Sequence, residues 1–320
     1  MNTVIDSIKK IYVITALGLK ESVRKKLLLF LLICCILFTG TGAGCANACM
    51  KMTDGNLELQ LEEQKVRIAN METNPEHKQK MLMDLHEEFA QAKNQGEKTF
   101  KNVLYVVIFS MIAFWLYLIS ALFTPFLALN DFQTRTHVLL LSKSLTRWEY
   151  LLGKFSSILT LMILNLLLMI LSSALFLYLS LDDLGLPLLK SLLVFSQGLL
   201  VFASMVIFLT LVTGRLPGII LSTAITVITV VPAIGILNGD LSIYKMGDNA
   251  VIYALAYGLP QLAMNYFYAL SFSVSDLDLF KDLHKIGNTS GMVSVIFNTF
   301  WFAIFWSLSI FTFNRKDLDT

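Results

Sequence analysis

The chain has 320 residues, of which 56% are hydrophobic and only 15% charged, with a net charge of +2. Soluble domains carry about 25% charged residues, so a chain of this size and apolarity is not a water-soluble globule. The near-neutral balance says little by itself, and no nucleic-acid partner is expected.

Six apolar runs are long enough to cross a bilayer, which takes about 20 helical residues. They cover 27–49 (apolar through Cys45), 103–129, 155–181, 188–213, 217–237 and 293–313. Backbone groups in lipid must be paired within their own segment, so these runs read as helices. The fold class expected is an all-α, polytopic membrane protein with six transmembrane helices. It carries an N-terminal interfacial helix and an extracytoplasmic helical hairpin between spans one and two.

In chain order, residues 1–26 come first. Val4, Ile8 and Ile11, with Ile5 and Tyr12 beside them, form an apolar stripe at helical spacing, opposed by Asp6, Lys9, Lys10 and Lys20. This suits an elbow helix lying along the cytoplasmic leaflet; a helix packed on another protein is the alternative. The apolar run starts too late for a cleavable signal peptide. Cys34 and Cys35 fall inside span one as apolar fillers. Cys45 and Cys49, at its outer end, form either a disulfide in an oxidising compartment or two free thiols.

Residues 50–102 turn polar. Asp54 caps one helix, and Asn74-Pro75-Glu76 reads as N-cap, N1 and acidic first turn of a second. Leu57, Leu61 and Ile68 mark one stripe; Met81, Leu85, Phe89 and Ala92 mark another. An antiparallel hairpin outside the membrane is expected, its second arm running on into span two. It serves either to dock an extracytoplasmic partner or as a passive insertion.

Residues 130–154 form a charged, helix-forming segment between spans two and three. After span five, the outer segment 238–292 holds Tyr244, Tyr253, Tyr257, Tyr266, Phe267 and Tyr268, suited to a membrane–water boundary. Pro260 breaks any helix there, and a short helix is expected between a Ser275 cap and Gly287. Residues 314–320 form a tail.

Lys and Arg near the span ends set the orientation. Lys9, Lys10, Lys20, Arg24, Lys25, Lys26, Arg135, Lys143, Arg147, Lys154, Arg215, Arg315 and Lys316 all fall on one side of a six-span chain. Both termini and the 130–154 segment are therefore expected in the cytoplasm, with the protein in a bacterial cytoplasmic membrane amid its lipid.

No nucleotide or metal chemistry is visible. Gly153-Lys154 is the only Gly-Lys pair, and a phosphate loop would need glycine where Trp148 stands. His77, His86, His137 and His284 are scattered, and HExxH and paired CxxC motifs are missing. Charged residues are almost missing from the spans, which argues against a self-powered carrier and points to energy supplied from elsewhere. A membrane-embedded enzyme lacks any convergent acid, base or metal set. Asn165 on span three, and Ser222, Thr226 and Thr229 at helical spacing on span five, offer either a translocation surface or ordinary helix packing.

Asp131, Thr136, Leu139-Leu140-Leu141, Ser142-Lys143, Thr146-Arg147-Trp148-Glu149-Tyr150 and Gly153-Lys154 stand in an order that resembles the signature of ABC-2 type permeases. These are the membrane subunits of one class of ATP-binding-cassette transporters. Arg135 replaces the usual glycine and Ser144 the usual proline. The basic run 19–26, Tyr257-Gly258-Leu259-Pro260 and the exit 313–318 are similar to weaker features of the same family.

The resemblance implies a non-catalytic subunit, an exporter, that pairs with a second permease copy or homologue above two cytosolic ATPases. ATP and magnesium would be bound by those partners, and no cofactor by this chain. The segment from Thr136 to Tyr150 would act as a coupling helix seated on the ATPase. Leu139, Leu140 and Leu145 would pack there, while Lys143, Arg147 and Glu149 make polar contacts beside Tyr150. A rival use of the same architecture is an ATPase-driven device that transmits force through the outer hairpin.

Overall fold

The computed structural model describes residues 2–24, 58–70, 74–133, 146–181, 185–237, 258–273 and 281–315, with isolated positions between 30 and 56. Most of the first expected span, Cys45 and Cys49, the Asp54 and Ser275 caps, and residues 238–257 lie outside the described residues. The same holds for Thr136, Leu139, Leu140, Lys143 and Leu145.

Among the described residues, and besides a helical stretch at 58–69, the architecture is carried by α1 (Asn2–Arg24), α2 (Pro75–Gln133), α3 (Arg147–Leu181), α4 (Leu186–Thr213), α5 (Arg215–Ile228), α6 (Val230–Leu237), α7 (Leu262–Ser271) and α8 (Lys281–Arg315). Among the described residues, five helical stretches are long and apolar enough to cross a membrane: α2, α3, α4, α5 with the start of α6, and α8. They correspond to the second to sixth expected spans. The chain is a multi-pass membrane protein, and its described residues form helices and no strands.

The second polar helix starts where its cap dictates, at Asn74. Residues 58–69 are helical. Asn74 then opens α2, its carbonyl accepting the N–H groups of His77 and Lys78 at 3.0 and 3.1 Å. Lys78 Nζ donates to the Ala69 carbonyl at 2.9 Å, tying the two arms, and Ile68 and Leu85 are buried in this otherwise exposed region. α2 then runs on without a break into the membrane for 59 residues in all, about 90 Å at the helical rise.

Prolines and glycines shape the remaining elements. Gly214, at φ 96°, makes the tight turn from α4 to α5; that backbone conformation is costly for any residue with a Cβ. Pro232 lacks an N–H for the Ile228 carbonyl, and the helix breaks at Thr229 into α5 and α6. Gly287, in contrast, ends nothing: α8 passes straight through it. This corrects the expected stop, since a helix-interior glycine costs only about 1 kcal/mol and 28 further residues of α8 continue beyond it.

α4 lies at the centre, packed against α2, α5, α7 and α8. Phe195 on α4 meets Phe109 and Tyr117 on α2 edge-to-face at 5.7 and 5.2 Å, and Tyr117 also meets Phe202 at 5.0 Å. On α3, the Phe155 ring sits 4.5 Å from Trp306 of α8.

Candidate functional site

Past the end of α2, the segment leading into α3 is described from Thr146, which is the N-cap of α3. Glu149 stands three residues on, and its Oε2 accepts the Thr146 backbone N–H at 2.9 Å. This is one half of a capping box. The same carboxylate is only 3% exposed, because α1 lies across it: Ser7 Oγ donates to Glu149 Oε1, and Lys10 Nζ is 3.9 Å from Oε2. Glu149 precedes the apolar part of α3. The Ser7 hydroxyl, with the Thr146 N–H, holds its carboxyl below the usual carboxylate range.

Below this junction, α1 and α3 approach closely because small residues allow it. A Cβ on Gly153 would lie 2.7 Å from Ile14 Cβ, and a Cβ on Gly18 would lie 2.7 Å from Ser157 Oγ. Thr15 Oγ1, between them, reaches the Gly153 carbonyl at 3.3 Å. Gly153 is thus a packing residue for α1. Tyr150 is buried and stacks on Phe313 at the end of α8, with ring centroids 5.8 Å apart and planes 10° from parallel. The Lys154 ammonium sits 5.9 Å from the Tyr150 ring centroid.

Of the segment's described site residues, Glu149 and Tyr150 face inward, toward α1 and α8. Arg147 is half-buried, while Trp148 is 44% exposed. Trp148 is a large apolar side chain left open at the start of α3, and sequence reasoning passed over it as a site. Its signal was available: a large aromatic beside the capping carboxylate, on a segment otherwise read as a partner surface.

The expected translocation residues lie on separate helices, Asn165 on α3 and the three hydroxyls on α5 and the turn after it. Asn165, Ser222 and Thr229 are buried. Each hydroxyl bonds a carbonyl of its own helix: Ser222 to Ile219, Thr226 to Ser222 and Thr229 to Thr226, at 2.7–2.9 Å. Such back-bonding is the packing behaviour of hydroxyls in apolar helices.

A different polar cluster was missed. Gln197 on α4, Asn265 on α7 and Asn298 on α8 gather in one hydrogen-bonded group. Gln197 and Asn298 were readable as amides within apolar runs, but Asn265 sits in the aromatic stretch before span six, and only the tertiary fold joins the three.

No characterised protein and no solved structure matches the chain. The sequence profile of the ABC-2 family transporter proteins matches residues 12–318. That match takes in α1 from Tyr12, the five described membrane-crossing helices and the amide cluster, so the chain belongs to the ABC-2 transporter family.

Proposed function

We propose that this permease subunit exports an amphipathic cargo from the cytoplasm, driven by a separate cytosolic ATPase that grips residues 136–150. ATP and magnesium reside on that partner. Two permease copies, identical or homologous, pair in a bacterial cytoplasmic membrane with both termini inside.

The observation that carries this reading is the junction at Glu149. Displacement of the exposed Trp148 turn cannot be absorbed locally. The Thr146 cap and Glu149 lock that turn to α3, Ser7 and Lys10 lock it to α1, and Tyr150 passes it to Phe313 on α8. A push on the segment is therefore delivered to three elements together. ATP drives a net change only if the ATPase grips the segment differently in its two nucleotide states.

One observation favours a second reading, force transmission to an extracytoplasmic partner. α2 is a single helix from the outer hairpin to Gln133, so a shift at its inner end reaches the hairpin tip. The two readings separate on deletion of residues 55–98: a mechanical device loses its output while ATPase assembly persists, whereas an exporter continues to transport.

The coupling reading is tested by Arg147→Glu and Trp148→Ala in the assembled complex. Both are expected to reduce ATPase co-purification and stimulated ATP turnover. Unchanged values in both variants would remove this turn from the interface.

A further inference from the structure

α7 was expected within an outer loop, yet it packs deep among the membrane-crossing helices and antiparallel to α4. Ser273, just past its end, bonds Ser191 near the start of α4. Asn265 meets Gln197 two turns further along, and Leu262 packs with Phe202 and Met205 further still. On α8 the order is the same: Gly291 is level with Tyr268, and Asn298 with Gln261. The N-terminal end of α7 therefore stops inside the bundle.

The amide cluster sits there. Gln197 Nε2 donates to the Val295 carbonyl at 2.6 Å and to Thr299 Oγ1 at 2.8 Å. Asn265 Nδ2 donates to Gln197 Oε1 at 3.1 Å. Asn298 Nδ2 donates to the Gln261 carbonyl at 3.2 Å, and the Asn265 N–H reaches that same carbonyl at 3.0 Å.

Amides used only to glue helices together would leave nothing unpaired. Here Asn265 and Asn298 are fully buried, yet the Oδ1 of each has no partner, and neither does Nε1 of Trp301, one turn beyond Asn298. Two acceptors and one donor are left over, and such buried groups call for an occupant. Among the described residues, no carboxylate, amine or guanidinium takes part in the network, so the occupant that fits is uncharged. The cluster also has an open side. Thr299 is exposed and Gln197 is half-buried, so the amide chain leads from the surface between α4 and α8 to the enclosed Asn265 and Asn298. Discontinuous helices that end within the membrane commonly build such substrate sites.

We propose that this cluster binds the hydroxylated, uncharged headgroup of an amphiphile that approaches from the bilayer between α4 and α8. Two hydroxyls donate to Asn265 Oδ1 and Asn298 Oδ1, and one accepts from Trp301 Nε1. Gln197 and Thr299 form the first contact. This rests on the permease reading but adds a cargo chemistry to it. Water offers the same donors and acceptors and is the competing occupant.

The test uses the full chain in phosphatidylcholine nanodiscs, with a diazirine-bearing monoacylglycerol and its dimethyl ether as probes. The diol is expected to label peptides covering 261–268 and 295–301 about five-fold more than the ether, the worth of a typical hydrogen bond. Asn298→Leu should erase that preference, and Thr299→Val, at an exposed position, should reduce it. Labelling around the exposed Leu167, Leu171 and Leu175 on α3 should stay equal for both probes in every variant, which verifies folding. Equal labelling of the cluster by diol and ether, or a preference that survives undiminished in Asn298→Leu, overturns the proposal and leaves water as the occupant. The readout needs neither ATP nor ATPase, so its failure is distinct from failure of the coupling reading.

Discussion

Glu149 shows how a single carboxylate serves two helices. Hydrogen bonds to a charged group contribute about 1.5–3 kcal/mol each when shielded from water. Glu149→Ala removes both the cap on α3 and the anchor for α1, and should destabilise the protein by about 2 kcal/mol, read as an earlier thermal transition in detergent. Glu149→Gln keeps an acceptor for Ser7 and should recover part of that loss. The carboxyl is held below its ordinary range, so its contribution is complete above the unfolded-state pKa and fades as pH falls through the lowered folded value. Acidification should therefore cost the wild type more stability than Glu149→Gln. Gly153→Ala sets a methyl against Ile14 and should cost about 1–3 kcal/mol by overpacking, with α1 loosening first in hydrogen exchange. The sequence marked Glu149 and Gly153 as members of one motif. It did not show that both serve α1, because Ser7 lies 142 positions from Glu149 and no local spacing encodes that contact.

The elements follow the apolar runs closely but not the helix ends. Hydropathy locates the stretch that lipid must cover, whereas backbone hydrogen bonding continues wherever no residue forbids it. α2 consequently starts at Pro75, well ahead of its apolar run, and residues 75–102 form a rod about 40 Å long. Gly96 lies within that rod with open space around it, so Gly96→Ala should raise thermal stability by about 0.5–1 kcal/mol. Lower down, Pro125 interrupts the ladder of α2, and the buried Ser120 and Thr124 hydroxyls beside it have no partner. Thr124→Val, close in shape and free of that unpaired hydroxyl, should be neutral or stabilising in the same assay. α7 was the least legible element. Pro260 announced a break, but aromatic composition could not distinguish a surface loop from a short helix inserted among α2, α4 and α8.

For the whole molecule, the apolar composition and its gathering into long runs were enough to read a multi-pass membrane protein, and the ABC-2 family match agrees with that class. What composition could not supply was the tertiary wiring: the clamp of α1 on α3, the stack of Tyr150 on Phe313, and the gathering of three amides from distant parts of the chain. The wiring joins the turn that bears the exposed Trp148 to α1, α3 and α8, and on the proposed function a cytosolic ATPase moves the three together there. The most direct measurement is photo-crosslinking from a benzoylphenylalanine placed at Trp148 in native membranes, with the captured chain sequenced. The account predicts a crosslink to an ATP-binding-cassette ATPase whose yield changes with nucleotide. A position 148 modified by membrane-impermeant reagents from the outer face, or one that never meets an ATPase in any nucleotide state, would contradict it.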